Sequence, residues 1–310
     1  MHLLQGRSAV RITLNDLYQS SSRGLGFQSD GCCLGRGLPV SKRAFCVGIN
    51  DYPYEGNDLK GCVNDANDWA TLLTEHFDFP RSDVVLVTDA EATKGRMLEG
   101  LKALLTGASS GDVLVFTNSS HGSYLADTDA DEPMYDEILC PYDVTEQVLV
   151  DDELRELFTD LPDGVHMTVI SDSCFSGTVS RALVSENIPG FEAPDERRTR
   201  FLSPALRGDP VLLNPWAAKP KQAETYPESG MKEVLLSGSS DKEYSYDAKL
   251  EGTSHGAMTY HAIKAIREAD YALTYAELHL RLQPMLDEAG YPQHPQLEGK
   301  EGNKARQIFT

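Results

Sequence analysis

The chain has 310 residues, 40% of them hydrophobic, and a formal net charge of −20 from 28 basic and 48 acidic side chains. That surplus of acid disfavours nucleic-acid binding, which needs a positive face. No apolar run approaches the ~20 residues of a membrane span, so no membrane partner is expected. Six cysteines (Cys32, Cys33, Cys46, Cys62, Cys140 and Cys174) form no Cys-x-x-Cys pair. This argues against structural zinc and fits a reducing compartment. The N-terminus lacks a signal-peptide core, and the expected location is cytoplasmic.

Residues 1–41 are rich in Ser, Gly and Arg and read as a flexible arm. The folded part is expected over 42–310. AFCVGIN (44–50) is a buried strand. Asn64 or Asp65 is the expected N-cap of a helix carrying Ala66, Trp69, Leu72, Leu73 and Phe77 on one face. VVLVT (84–88) is the next strand, and Thr93 caps a helix through Leu105. DVLVFTN (112–118) is a strand leading to His121, and the acidic stretch 123–136 reads as loop. EILCPYDV (137–144) reads as a short strand or hairpin. DDELRELF (151–158) opens a helix with acids in its first turn.

HMTVIS (166–171) is the central strand and runs into Cys174. Residues 181–231 hold seven of the 16 prolines and several basic residues, and read as an irregular linker. It separates a larger part, 42–180, from a smaller one, 232–310. The latter holds a strand at 233–239, a helix at 256–266, a helix opened by the Thr274-x-x-Glu277 capping box, and a short strand at 307–309. The alternation implies a mostly parallel sheet with helices on both faces. Sites in such sheets lie beyond the C-terminal strand ends, where His121 and Cys174 both fall.

A thiolate beside an imidazole is an activated nucleophile with a proton donor for the leaving amine. Each residue alone has a plainer role, as a buried hydrophobe or a hydrogen-bonded histidine. The pair, at matching strand ends, points to nucleophilic catalysis. Gly122 and Gly177 let a bare backbone approach a substrate, with N–H groups there able to stabilise an oxyanion, and the N–H groups of Gly122 and Cys174 are the candidate donors. A nucleotide-binding reading fails, because GINDYPYEG after the first strand is no phosphate loop.

DSCFSG (172–177), SHG (120–122), GCVNDA (61–66), YDE (135–137), DDEL (151–154) and LSGSSDKEYSYD followed by GAMTYHAI together resemble the metacaspases, caspase-like cysteine peptidases. The likeness runs from about Lys42 to the end. It implies a caspase-like three-layer α/β sandwich, a His121–Cys174 dyad, and peptide or protein substrates with Arg or Lys before the cut bond. It also implies a basic-residue pocket at Cys62, Asp65, Ser119 and Asp172. Two carboxylates in a cleft suit a guanidinium. For Asp65 a helix N-cap is the competing role.

Calcium is implied at Asp136, Asp151 and Asp152, hard oxygen donors, although acids of a helix first turn explain the last two without metal. Relatives of this type are often monomers. Three positions depart from the family pattern: Ser120 replaces a glycine, Phe175 a common histidine, and Arg181 an acid. Ser120 is expected to narrow the cleft or alter the His121 backbone, and Arg181 to repel a metal. Asp127-x-Asp129-x-Asp131 lacks the glycine and glutamate of an EF-hand loop. The leading expectation is an endopeptidase that also cuts itself within 181–231. The alternative is a catalytically silent caspase-like binding or regulatory module.

Overall fold

The computed structural model describes residues 40–127, 134–174, 197–209, 219–220, 227–240 and 243–310. Strands and helices alternate from the start: β1 (Lys42–Gly48), α1 (Cys62–His76), β2 (Val84–Thr88), α2 (Lys94–Leu105) and β3 (Val113–Ser119). The hairpin β4 (Gly122–Asp127) and β5 (Met134–Leu139) follows, then β6 (Leu149–Val150), α3 (Asp151–Thr159) and β7 (His166–Asp172). Next come β8 (Arg198–Thr199), β9 (Lys219–Pro220) and β10 (Glu233–Ser237). A second hairpin, β11 (Tyr246–Leu250) and β12 (Thr253–Gly256), leads to α4 (Ala257–Glu268), α5 (Tyr275–Glu288), β13 (Gln296–Glu298) and α6 (Glu301–Lys304).

Among the described residues the main sheet has the order β13-β10-β7-β3-β1-β2, parallel except for the antiparallel edge strand β13. The expected α/β sandwich is therefore the observed fold. Its layers follow from strand periodicity. In β1, Ala44 and Cys46 face one way and join Trp69, Leu72 and Leu73 of α1 with Ile263 and Ile266 of α4. Phe45 and Val47 face the other way and join Met97, Leu101 and Leu104 of α2 with Phe158 of α3. Each such aliphatic or aromatic side chain taken fully from water contributes ~1.5–3 kcal/mol. Strand β3 is buried along its whole length, as a central strand covered on both faces must be.

Several expectations are corrected. The stretch 123–136 is not simply loop: β4 and β5 pair antiparallel there, Gly122 opposite Leu139. QIF (307–309) is no strand. Gln307 makes an isolated bridge to Thr274, while Ile308 and Phe309 fill the core. The edge strand is β13 instead. The proposed linker contains ordered chain, because β8 pairs antiparallel with β11 and a 3₁₀ turn spans Pro204–Arg207. Residues 1–39, Phe175, Gly177, Arg181 and Asp129–Asp131 lie outside the described residues. No described helix is long and apolar enough to cross a membrane.

Candidate active site

The two central strands end together, with Ser119 of β3 in register with Asp172 of β7. The chain leaves β3 through Ser120 and His121 and leaves β7 through Ser173 and Cys174, so sheet register brings the pair to one rim. Beneath them the Asn118 amide donates to Ser120 Oγ at 2.9 Å and Ser173 Oγ at 3.0 Å, tying the two exits. Ser120 is fully buried in this group and donates to the His121 carbonyl at 3.0 Å. It touches the histidine backbone rather than narrowing the cleft.

The His121 ring is oriented from below. Its Nε2 lies 2.8 Å from the Asn57 carbonyl. A carbonyl only accepts, so Nε2 carries the proton and Nδ1 keeps its lone pair. Nδ1 has no aligned hydrogen-bond partner among the described residues. Tyr52 braces the same ring at 5.0 Å between centroids. Its hydroxyl receives the His121 N–H at 3.1 Å and donates to Cys140 O at 2.9 Å. Burial drives His121 down to about 4, opposed by the Asn57 carbonyl and reinforced by the Arg200 charge.

Cys174 is fully buried. Its thiol donates to the Ser245 carbonyl at 3.2 Å and accepts the Ser245 N–H at 2.8 Å. Burial pushes the thiol well above its usual range. No hydrogen bond joins it to His121. Both side chains lie against the backbone of Arg200.

Arg200 is what the site closes around. Its side chain is fully buried. The guanidinium donates to Asp65 Oδ2 at 2.7 Å, Ser119 Oγ at 2.5 Å and the Asp172 carbonyl at 2.9 Å. It also pairs with Asp172 Oδ2 at 3.4 Å and Asp247 Oδ1 at 3.6 Å. The Arg200 carbonyl accepts the Gly122 N–H at 2.9 Å and the Cys174 N–H at 3.2 Å. The Arg200 N–H donates to Ser245 O at 2.9 Å.

The carboxylates have further donors. Gly256, just before α4, gives its N–H to Asp65 at 3.0 Å, and Thr259 gives its own to Asp172 Oδ2 at 2.9 Å. A helix N-terminus thus points at both acids. Ser245 Oγ donates to Asp172 Oδ1. Burial raises the Asp65 pKa, yet Arg200, His255 and Ser119 outweigh it, and the carboxyl ends below its usual range.

Of the pocket residues read from sequence, Asp65, Ser119 and Asp172 converge on one guanidinium. Burial raises the Cys62 thiol well above its usual range, and the Arg200 charge, close by, partly offsets this. Asp65 is not the N-cap. Helix α1 starts earlier, and Asn50 Oδ1 accepts the Cys62 and Val63 N–H groups at 2.8 and 3.3 Å. That cap, from the start of the β1–α1 loop twelve residues earlier, frees the Asp65 carboxylate for the pocket. Gly122 must be glycine, since a Cβ there meets the Cys174 carbonyl. Sequence reasoning missed Arg200, Asp247, Ser245 and the Asn57 carbonyl. Arg200 stood among other basic residues of the presumed linker, and backbone groups leave no sequence signal.

Asp136, Asp151 and Asp152 lie apart from this pocket. Burial lifts Asp151 to about 7, opposed by Arg155 and reinforced by the charges of Asp152 and Asp136. Arg155 stands 3.9 Å away. Asp151 thus feels the charge of both other acids. Among the described residues, however, no group of three ligating side chains is placed to hold a metal ion.

A family model described as the metacaspase, peptidase C14 domain matches residues 42–182. Metacaspase-1A of Aspergillus oryzae is 31% identical over 294 residues, covering 83% of this chain and 67% of the relative. Metacaspase-1 of Scheffersomyces stipitis is 30% identical over 294 residues, covering 86% and 71%. The chain spans about two thirds of the length of such relatives. The crystal structure of a Geobacter sulfurreducens protein is similar with a TM-score of 0.65 at 24% identity, covering 87% of this chain and 98% of that one. That likeness bears on the fold. By sequence over most of its length, the chain belongs to the metacaspases, a family of cysteine-type peptidases.

Proposed function

We propose that the protein is a cysteine endopeptidase that cuts after Arg or Lys and first cuts itself between Arg200 and Phe201. One observation carries the reading. Arg200 lies as a substrate residue would, with its carbonyl on the Gly122 and Cys174 N–H groups and its guanidinium on Asp65 and Asp172. Two N–H groups at 2.9 and 3.2 Å from a carbonyl oxygen are an oxyanion hole. Carboxylates beside a buried guanidinium form a pocket for a basic side chain.

The Cys174 thiol gives its proton to His121 Nδ1, and Sγ attacks the carbonyl carbon before the bond. The tetrahedral oxyanion is held by Gly122 and Cys174 N–H. His121 then protonates the departing amine, and the Asn57 carbonyl holds the imidazolium by its Nε2–H. Water, deprotonated by His121, resolves the thioester to a carboxylate and restores the thiol. The raised thiol and lowered imidazole pKa values belong to the arrangement in which Cys174 is fully buried and its N–H is taken by the Arg200 carbonyl. Opening admits water and brings both toward their usual ranges.

Calcium activation is part of the proposal. Asp136, Asp151 and Asp152 would hold the ion after a local rearrangement, and its charge would relieve their mutual repulsion. A monomeric state and a cytoplasmic location complete the reading. A catalytically silent regulatory module remains the second reading, favoured by the full burial of Cys174.

Fluorogenic peptides ending in Arg, Lys or Asp before the reporter, with and without calcium, test the activity. Release after Arg and Lys, lost in Cys174→Ala, is expected. Release only after Asp contradicts the pocket. No release, with no labelling of Cys174 by an Arg-directed electrophile, supports the silent module.

A further inference from the structure

The chain beyond Arg200 also occupies a shaped surface. The Phe201 ring lies 6.3 Å from Tyr124 at 24° and 5.9 Å from Tyr244 at 61°. One tyrosine stacks along it and the other meets it edge-on, both favourable aromatic geometries. Tyr124 is itself fully buried and meets Tyr135 edge-on at 6.1 Å. The slot therefore has a fixed wall.

Leu202 is fully buried in the apolar layer that contains Leu139, Val144 and Leu149. Its N–H donates to the Gly122 carbonyl at 2.9 Å, while the Gly122 N–H holds the Arg200 carbonyl at 2.9 Å. One glycine thus reads the backbone on both sides of the Arg200–Phe201 bond. Gly122 and Phe201 form a parallel bridge, so the segment enters as a short added strand. Arg207 then clamps the exit, donating to Ser123 Oγ at 3.1 Å and the Tyr124 carbonyl at 3.0 Å.

Building on the endopeptidase reading, we propose that this surface is a recognition site for the two residues after the cut bond. The Tyr124–Tyr244 slot takes an aromatic side chain first, and the adjoining apolar pocket takes leucine or a similar aliphatic second. The preferred substrate is a peptide with Arg, then an aromatic residue, then Leu. The chain's own Phe201 and Leu202 are its first occupants. A basic pocket alone accepts any Arg or Lys. The aromatic slot and apolar pocket add selectivity after the bond, and burying a leucine-sized group supports about a tenfold preference.

The test uses the full chain, after incubation to allow self-cutting, and four internally quenched peptides. They share Thr-Arg before the bond and carry Phe-Leu, Phe-Ala, Ala-Leu or Ala-Ala after it. A reporter ending at Arg, with only a fluorophore beyond, normalises every rate. The proposal expects kcat/KM for Phe-Leu at least tenfold above Ala-Ala, with the single changes between. Tyr244→Ala is expected to reduce the Phe advantage to under threefold after normalisation. Equal rates across the four peptides, zero included, with an active reporter sink the primed-side site and leave the endopeptidase standing. A Phe advantage that survives in Tyr244→Ala overturns the slot. An inactive reporter sinks both readings. The comparison on the wild-type chain stands even if the variant fails to fold.

Discussion

Two carboxyls in this molecule, Asp65 and Asp151, have the same side chain and opposite electrostatic fates. Around Arg200, the buried Asp65 ends below its usual pKa, because a guanidinium at 2.7 Å and neighbouring donors face it. At the start of α3, burial lifts Asp151 to about 7, with Arg155 3.9 Å away opposing it and the charges of Asp152 and Asp136 reinforcing it. Burial raises the carboxyl pKa in both places. What differs is whether a cation at hydrogen-bond distance arrives with it. Among the described residues, Asp65 has a guanidinium at 2.7 Å, while the guanidinium beside Asp151 stands at 3.9 Å. In the proposed function, the first is a filled binding pocket and the second a place for an added cation.

The largest test of that contrast is to remove the cation. Arg200→Ala leaves Asp65, Asp172 and Asp247 buried without it. The expected loss, read by denaturant unfolding, is about 3–5 kcal/mol, less whatever water entering the pocket recovers. The loss should shrink on acidification, because protonation then removes the stranded charges. A loss independent of pH would break the electrostatic account.

The next effect is on catalysis. Asp65→Asn removes the guanidinium's shortest carboxylate contact and should lower kcat/KM on the Arg reporter about 10- to 100-fold. Asp136→Asn should change calcium-free hydrolysis less than twofold. Similar losses in the two variants would erase the distinction between the groups.

A smaller effect concerns Asp151. Its folded pKa lies above the unfolded value, so the folded state binds the extra proton and stability falls as pH rises from about 4 to 7. Asp151→Asn should therefore stabilise the chain at pH 8 by about 1 kcal/mol, after discounting the lost helix-terminus interaction. At pH 4 it should do nearly nothing. Asp65 has the opposite sign. Its contribution is full above its ordinary pKa and is lost as pH falls through the depressed value.

The smallest expected effect is calcium itself. Bound at Asp136, Asp151 and Asp152, it should raise the melting temperature of Cys174→Ala by a few degrees more at pH 8 than at pH 6, where protonated Asp151 competes with it. An equal shift at both values, or one preserved in Asp151→Asn, would place the ion elsewhere.

The strands leading to His121 and Cys174 were legible because β3 and β7 each carry an apolar run, Val113–Phe116 and Val169–Ile170, that ends in polar residues. Parallel register then brings the ends together. The hairpin β4–β5 was hidden because its acids suppress the strand pattern that Tyr124, Leu125, Tyr135 and Ile138 carry. The competing N-cap role for Asp65 fails because Asn50, twelve residues before the helix in the same loop, accepts the helix's first N–H groups. A cap folded back from that distance leaves no local sequence pattern. The same holds for Arg200. Four arginines lie in 197–207, and the distance to Asp65 singles out one of them.

The central claim is that the Arg200–Phe201 peptide lies as the enzyme's own first substrate. Intact-mass analysis of the full chain after incubation, beside Cys174→Ala, tests it most directly. The account predicts a wild-type product with a new N-terminus at Phe201 and an uncut Cys174→Ala chain. A wild-type chain that hydrolyses the Arg reporter while its Arg200–Phe201 bond stays whole, or a cut there that persists without Cys174, would contradict it.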